Sequence, residues 1–342
     1  MKKISALLIS LPLLAVSFSA LCAKENKTEL FGYTDGAQVV SVNEVTGRID
    51  SRTGVIYSQI VGDRQLTQLK MNLLLPRNNV KKPAIIYFPG GGFTTSDHDK
   101  FSELRFALAK AGFVVASAEY RTVPNLFPAI VEDAKAAVRY LRAHSDLFNI
   151  DPDKIGVLGD SAGGYVVQML GSTNNEKEFD QGEFLNASSN VQAVVSLYGI
   201  SDLLTIGEGY SPEIQKVHES PAVTEALLVN GAAFNTFPGM TITENKEKAR
   251  HASPIYHVNG NEPPFLLMHG SADMLVSPLQ SAHMFEALKD NGQKESEYVL
   301  IKDADHAGIK WYQDAVISKI TDFFLQKLGP IEKGAEAKRL DL

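Results

Sequence analysis

Short apolar runs alternate with helix-like segments from about residue 55 to residue 328, and that alternation narrows the possible folds more than any other feature of the chain. Eight runs have the length and composition of strands: Val55–Ile60, Leu69–Leu75, Ala84–Phe88, Phe113–Ala118, Ile155–Gly159, Ala193–Leu197, Phe265–His269 and Glu297–Ile301. The first two alternate apolar and polar residues, as half-exposed antiparallel strands do. The later ones are apolar throughout and separated by helices, the pattern of buried parallel strands. Phe101–Ala111, Ile130–His144, Pro278–Asp290 and Trp311–Leu328 carry helical periodicity, the second opened by Pro128 and the last closed by Gly329. The expected class is α/β, with a mostly parallel eight-stranded sheet flanked by helices.

Residues 201–262 break the alternation. They are rich in Gly, Pro and Asn, with scattered large apolar residues (Leu203, Leu204, Ile206, Tyr210, Phe234, Phe237, Met240), and read as an insertion over the carboxyl ends of the strands. The stretch 329–342 reads as a polar, frayed C-terminal tail. With 342 residues the chain is long enough for a substantial core. A net charge of −7 without a basic block argues against nucleic acid as a partner. Cys22 is the only cysteine, which excludes a disulfide framework and a thiolate metal site.

The first 23 residues have the layout of a secretory signal peptide: Lys2 and Lys3, an uncharged run from Ile4 to Ala23 broken by Pro12, and small residues before Lys24. The competing readings are a transmembrane anchor and a lipoprotein lipidated at Cys22. Pro12 and the small-residue end disfavour the first, and the bulk of Leu21 disfavours the second. The expected organisation is a signal peptide at 1–23, one domain at 24–328 and the tail. The mature protein would be periplasmic or secreted, with no stable membrane insertion.

The sharpest chemical signal is IGVLGDSAGGYVVQML. Gly159-Asp160-Ser161-Ala162-Gly163 falls between an apolar strand and a helix-like stretch. A G-x-S-x-G turn in that position lifts a serine hydroxyl clear of the sheet. Such a hydroxyl needs a base to take its proton and a carboxylate to orient the base, in the chain order serine, acid, histidine. Asp273 follows the apolar strand in FLLMHGSADMLV, and His306 follows the last strand in YVLIKDADHAG. The ends of parallel strands emerge on one side of the sheet, so these loops can converge on Ser161. Asp202, after the Ala193–Leu197 strand, is the second candidate acid. Asp303 and Asp305 sit too close to His306 in sequence to aim at its ring.

The other histidines are weaker candidates for the base. His98, His144 and His283 fall on polar surfaces, while His218, His251 and His257 lie in the insertion. His269 ends a strand, where a packed or hydrogen-bonded role is expected. The oxyanion formed on attack needs N–H donors. Ala162 supplies one, and the loop IIYFPGGGFTT offers Gly90–Gly92. That loop lacks the G-K-[ST] ending of a phosphate cradle.

With these motifs in place, the sequence resembles the α/β-hydrolase carboxylesterases of the hormone-sensitive-lipase-like group, and within it the BD-FAE or acetylxylan-esterase-like proteins. The resemblance runs through most of residues 80–328: PGGGF, EYRTVPNLFPAIVEDAKAAVRYLR, NIDPDKIGVLGDSAGG, LYGISDLL, ASPIYHV, the segment from Pro263 to Gly292, and DADHAG. It implies the α/β-hydrolase fold, Ser161 as nucleophile, Asp273 as acid, His306 as base, and Gly91, Gly92 and Ala162 as oxyanion donors. It implies no cofactor and no metal, and a small-molecule or carbohydrate ester as substrate. One departure is Pro89, which stands where the family has the His of HGGG and so bears on the shape of the acyl pocket. The expected activity is hydrolysis of short-chain acyl esters. A serine peptidase, a lipase and a non-catalytic binding protein on the same fold are the rivals. Oligomeric state is written in no motif.

Overall fold

The computed structural model describes residues 30–43 and 47–331. All eight expected strands form: β1 (Ile49–Val61), β2 (Leu66–Pro76), β3 (Lys82–Phe88), β4 (Val114–Ala118), β5 (Ile150–Asp160), β6 (Ala193–Leu197), β7 (Phe265–Gly270) and β8 (Glu297–Ile301). They join in one sheet of order β1-β2-β4-β3-β5-β6-β7-β8. β2 runs antiparallel to both its neighbours, and every other pairing is parallel. From β3 the chain steps to one side for β4 and then to the other for β5. This reversal opens a crevice beyond the carboxyl ends of β3 and β5, where ligands bind in open α/β sheets.

Why the inner strands look uniformly apolar is visible in the packing. Every residue of β3, β4, β6 and β7 is buried, because helices cover both faces. Ala84, Ile86 and Phe88 of β3 point into one core with residues of α2 (Ala129–Ala143), α3 (Ala162–Ser172) and α7 (Leu279–Asp290). Ile85 and Tyr87 point into the opposite core with α1 (Ser102–Ala111) and α8 (Asp314–Leu328). The two-residue period of a strand thus supplies two cores at once.

Several boundaries differ from the sequence reading, β5 starting at Ile150 and not Ile155 among them, and three have a visible cause. β1 begins at Ile49 because the polar stretch from Ile49 to Arg52 pairs with Leu73–Pro76 at the sheet margin, where polar side chains face water. Phe101 is not helical; it has φ 54° and precedes α1. The segment expected as one helix from Trp311 is a 3₁₀ turn at Ile309–Tyr312 followed by α8, with Gln313 extended between them. The separate turn seats the Trp311 indole in the core, where its N–H donates to the Asp305 carbonyl at 2.8 Å.

Between β6 and β7 the insertion forms three short helices, α4 (Pro212–Val217), α5 (Thr224–Asn230) and α6 (Lys246–His251), and a 3₁₀ turn at Pro254–His257. Leu203, Ile206, Leu228, Val229 and Ile242 are buried in the same core as α2 and α3, whereas Phe234 is exposed. The insertion therefore shares the main core instead of building one of its own.

The chain divides into two units, Met1–Val45 and Thr46–Leu342. Of the first, residues 30–43 form hydrogen-bonded turns with neither helix nor strand. The expected signal peptide, Cys22 and the last part of the tail lie outside the described residues. The start of that tail is packed: Ile331 rests on the apolar cluster under α8 and fills the space left by the missing side chain of Gly112.

Candidate active site

Ser161 is the single residue between the end of β5 and the start of α3, with φ 52° and ψ −118°. This conformation is unfavourable for a residue with a side chain and persists only where the surroundings enforce it. The flanking glycines make the turn possible. A Cβ on Gly159 would lie 2.2 Å from the Gly163 carbonyl oxygen, and one on Gly163 would lie 1.9 Å from the Phe88 carbonyl oxygen. The Ser161 N–H donates to the Leu197 carbonyl of β6 at 2.9 Å, tying the turn to the neighbouring strand.

His306, in the loop after β8, reaches this turn. Its Nε2 lies 2.9 Å from Ser161 Oγ and its Nδ1 lies 2.7 Å from Asp273 Oδ2. With Nδ1–H donating to the carboxylate, Nε2 is left to accept the serine hydroxyl. The Tyr198 ring packs edge-on against the imidazole at 4.7 Å, and Trp311 packs against Tyr198 at 4.4 Å. Asp273 is buried at the turn following β7, where Oδ1 accepts the Leu275 and Val276 N–H groups at 2.9 and 3.0 Å. Burial alone pushes this carboxyl up. The His269 and His306 imidazoles and the Val276 amide overcome that and hold it well below the usual carboxylate range. Asp273 is therefore an anion at any pH where the imidazole is neutral.

The glycine loop after β3 sits against Ser161; a Cβ on Gly90 would be 3.0 Å from Ser161 Cβ. Gly90 N–H donates to Asp160 Oδ1 at 2.9 Å, and the Tyr87 hydroxyl donates to the same oxygen at 2.7 Å. Burial pushes the Asp160 carboxyl up against the pull of these donors. Lys100 Nζ donates to the Gly90 carbonyl at 2.9 Å, and the Tyr120 hydroxyl donates to the Pro89 carbonyl. Thr94 and Thr95 N–H groups donate to the Gly91 carbonyl at 3.0 and 3.2 Å. The loop is thus braced from four directions with Pro89 at its start. Among the described residues, the N–H groups of Gly91, Gly92 and Ala162 have no protein acceptor, so they remain available to a developing negative charge.

Sequence reasoning missed this brace, although Asp160 lies inside the G-x-S-x-G motif and Tyr120 inside EYR. Asp202, the second candidate acid, is not brought to His306. Its Oδ1 accepts the Leu204 N–H and its Oδ2 accepts the Tyr256 hydroxyl, at 2.9 and 3.0 Å. The side chains of Asp303 and Asp305 make no bond to His306. Among the other histidines, His98, His218, His251, His257 and His283 pair with glutamates. His144 lies against the Tyr140 carbonyl, and His269 faces Asp273. Among the described residues no group of His, Cys, Asp and Glu side chains comes together to hold a metal ion.

The insertion reaches the same crevice. The Tyr210 hydroxyl donates to the Asp273 carbonyl at 2.7 Å, and the Thr224 methyl group stands 4.0 Å from where a Cβ on Gly92 would be. The Leu228 carbonyl accepts the Phe127 N–H at 2.9 Å.

The BD-FAE family model matches residues 71–288 of the chain. Two proteins of Mycobacterium tuberculosis are similar to it. A probable carboxylic ester hydrolase, LipM, is 28% identical over 66% of this chain and 49% of its own length. The esterase LipC is 30% identical over 66% of this chain and 52% of its own length. The chain thus spans about half the length of these relatives. Among solved structures, a truncated carbohydrate esterase from gut microbiota superposes with a TM-score of 0.70 at 26% identity, over 82% of this chain and 96% of that one.

Proposed function

This chain belongs to the BD-FAE family, and we propose that it is a serine carboxylesterase that works through an acyl-enzyme on Ser161. The observation that carries the reading is the unbroken hydrogen-bonded line from Ser161 Oγ through His306 to Asp273, at 2.9 and 2.7 Å. As Ser161 Oγ attacks the ester carbonyl, His306 Nε2 takes its proton, and Asp273 stabilises the imidazolium that forms. The N–H groups of Gly91, Gly92 and Ala162 receive the oxyanion. Collapse of the tetrahedral intermediate breaks the bond to the alcohol, which leaves with the proton from His306. Water, deprotonated by the same imidazole, then releases the acid and restores Ser161.

The proposed substrates are short-chain acyl esters of small molecules or carbohydrates. Three features support this. The insertion covers the crevice with helices of at most seven residues, too short to offer a continuous apolar face to a lipid surface. Several of its large apolar residues, Leu203, Ile206, Leu228, Val229 and Ile242, are committed to the core. The solved relative at 26% identity is a carbohydrate esterase. Among the described residues no helix is long and apolar enough to cross a membrane. The leader-like residues 1–23 support export, and comparing the N-terminus of the protein recovered outside the cytoplasm with the full sequence tests that.

The central experiment is kcat/KM for p-nitrophenyl esters from acetyl to palmitoyl, beside a peptide amide. A maximum between acetyl and butyryl is expected. A maximum at decanoyl or longer with activation at an oil–water interface would make the protein a lipase. Efficient amide cleavage would make it a peptidase, and no turnover of any of these a binding protein.

A further inference from the structure

Asp273 Oδ2 faces two imidazole rings. One is His306. The other is His269, near the end of β7, whose Nε2 lies 3.3 Å from the same oxygen. His269 is fully buried, and both its nitrogens are engaged: Nε2 lies 3.0 Å from the Val276 carbonyl and Nδ1 lies 2.7 Å from the Ser281 hydroxyl. A carbonyl only accepts, so Nε2 carries the proton and shares it between Val276 and the carboxylate. Nδ1 then accepts from Ser281, whose hydroxyl makes no other hydrogen bond among the described residues.

Building on the triad proposed above, we infer that His269 is a positioning residue that holds the Asp273 carboxylate toward His306 and dilutes the negative charge that His306 meets. Asp273 Oδ1 is pinned by two backbone N–H groups, which set the position of the turn. Oδ2 is the oxygen that touches the base, and among the described residues His269 is its only other side-chain partner. Take His269 away, and a less neutralised carboxylate binds the imidazolium of His306 more tightly. The base then keeps its proton to higher pH. The remaining titratable groups near the pair stand on other elements: Tyr198 against the His306 ring, Tyr210 on the Asp273 carbonyl, and Asp160 behind the nucleophile. A change at position 269 leaves them in place.

The test compares His269→Leu, which removes the donor, with His269→Gln, whose amide nitrogen can replace Nε2–H. In His269→Leu, kcat should fall roughly tenfold with KM little changed, as for a misaligned catalytic group. The acid limb of the kcat/KM profile should move up by about half a pH unit, the size expected for one lost hydrogen bond. His269→Gln should restore the limb. A limb that stays fixed in the Leu variant, or equal damage in both variants, overturns the inference and leaves a packing role. Should the Leu variant fail to fold, ¹⁵N-imidazole NMR of the wild-type protein decides: the Nε2–H tautomer at His269 supports the inference, and the Nδ1–H tautomer overturns it. Ser161→Ala assayed in parallel separates the two proposals. Its full activity would remove the triad itself, whereas an inactive Ser161→Ala beside an unmoved limb would remove only the role of His269.

Discussion

The Tyr120 hydroxyl donates to the Pro89 carbonyl, joining the segment after β4 to the segment after β3. Tyr120 is buried, and burial pushes its phenol far above the ordinary range, so it is a permanent donor. Tyr120→Phe keeps the ring and removes the bond. An unpaired buried carbonyl costs about 1–3 kcal/mol, and the glycine loop loses one of its four braces. We expect kcat to fall roughly tenfold, as for a loosened oxyanion donor set, with a lower urea midpoint. A variant with normal kcat would show that the other braces suffice.

Replacing Ser161 by Ala should abolish ester hydrolysis, by about 10³-fold or more, because covalent catalysis ends with the hydroxyl. The fold should survive, since the Ser161 backbone N–H, not its side chain, binds β6. Turnover and circular dichroism of the same preparation check both halves.

The two candidate acids separate cleanly. Asp273→Asn deprives His306 of the carboxylate that selects its tautomer and should lower kcat by about 10³-fold or more. Asp202→Asn affects only a turn and the Tyr256 hydroxyl, so kcat should stay within about threefold and the loss should appear in stability, about 1 kcal/mol. Greater damage to kcat in the Asp202 variant would reverse the assignment.

The buried lysines predict a pH dependence of stability. Lys135 Nζ donates to the Thr173 and Glu176 carbonyls, with its side chain buried, and burial lowers its pKa to about 8. An unfolded lysine titrates near 10.4. Between those values the unfolded chain holds more protons than the folded one, so stability contributed by Lys135 rises with pH across that window. Lys82 adds to the same slope, its pKa also lowered to about 8 by burial. Above about pH 10 the buried tyrosines reverse the trend, because their raised pKa values keep protons that the unfolded chain releases. Lys135→Met should flatten the rise between pH 8 and 10 in urea titrations; an unchanged slope would assign it elsewhere.

Much of this architecture was legible because burial on both faces writes an unambiguous code. Strands such as Ala193–Leu197 have no polar residue in the core-facing register except Ser196, and were placed to the residue. Ser161 and Asp273 could be picked out because each follows such a strand, and His306 because it follows β8, a largely apolar run although a half-buried margin strand. The brace around Pro89 could not. It depends on Asp160 meeting Gly90, seventy residues apart, and on Tyr120 meeting Pro89, contacts created by the adjacency of β5, β3 and β4. The partner of His269 was hidden for another reason. A histidine ending a strand looks the same whether it packs or orients a carboxylate, and only the turn at Asp273–Val276 distinguishes them. The polar start of β1, Ile49–Gly54, and the separate turn at Trp311 escape a sequence reading, because a polar margin segment and a seated indole leave no periodic trace.

Phe88 and Gly159 are register partners in the parallel ladder between β3 and β5. The glycine loop leaves the sheet one residue beyond the first and the nucleophile two residues beyond the second. The gap between Ser161 and the amides of the glycine loop is therefore gauged by the spacing of hydrogen-bonded strands, about 4.8 Å, and not by any flexible connection. Such a ruler cannot be stretched without unzipping the sheet. Residues 201–262 stand outside that measurement. On the proposed reading, changes in the part of that segment outside the core would alter which ester fits while the reach of the attack stays calibrated.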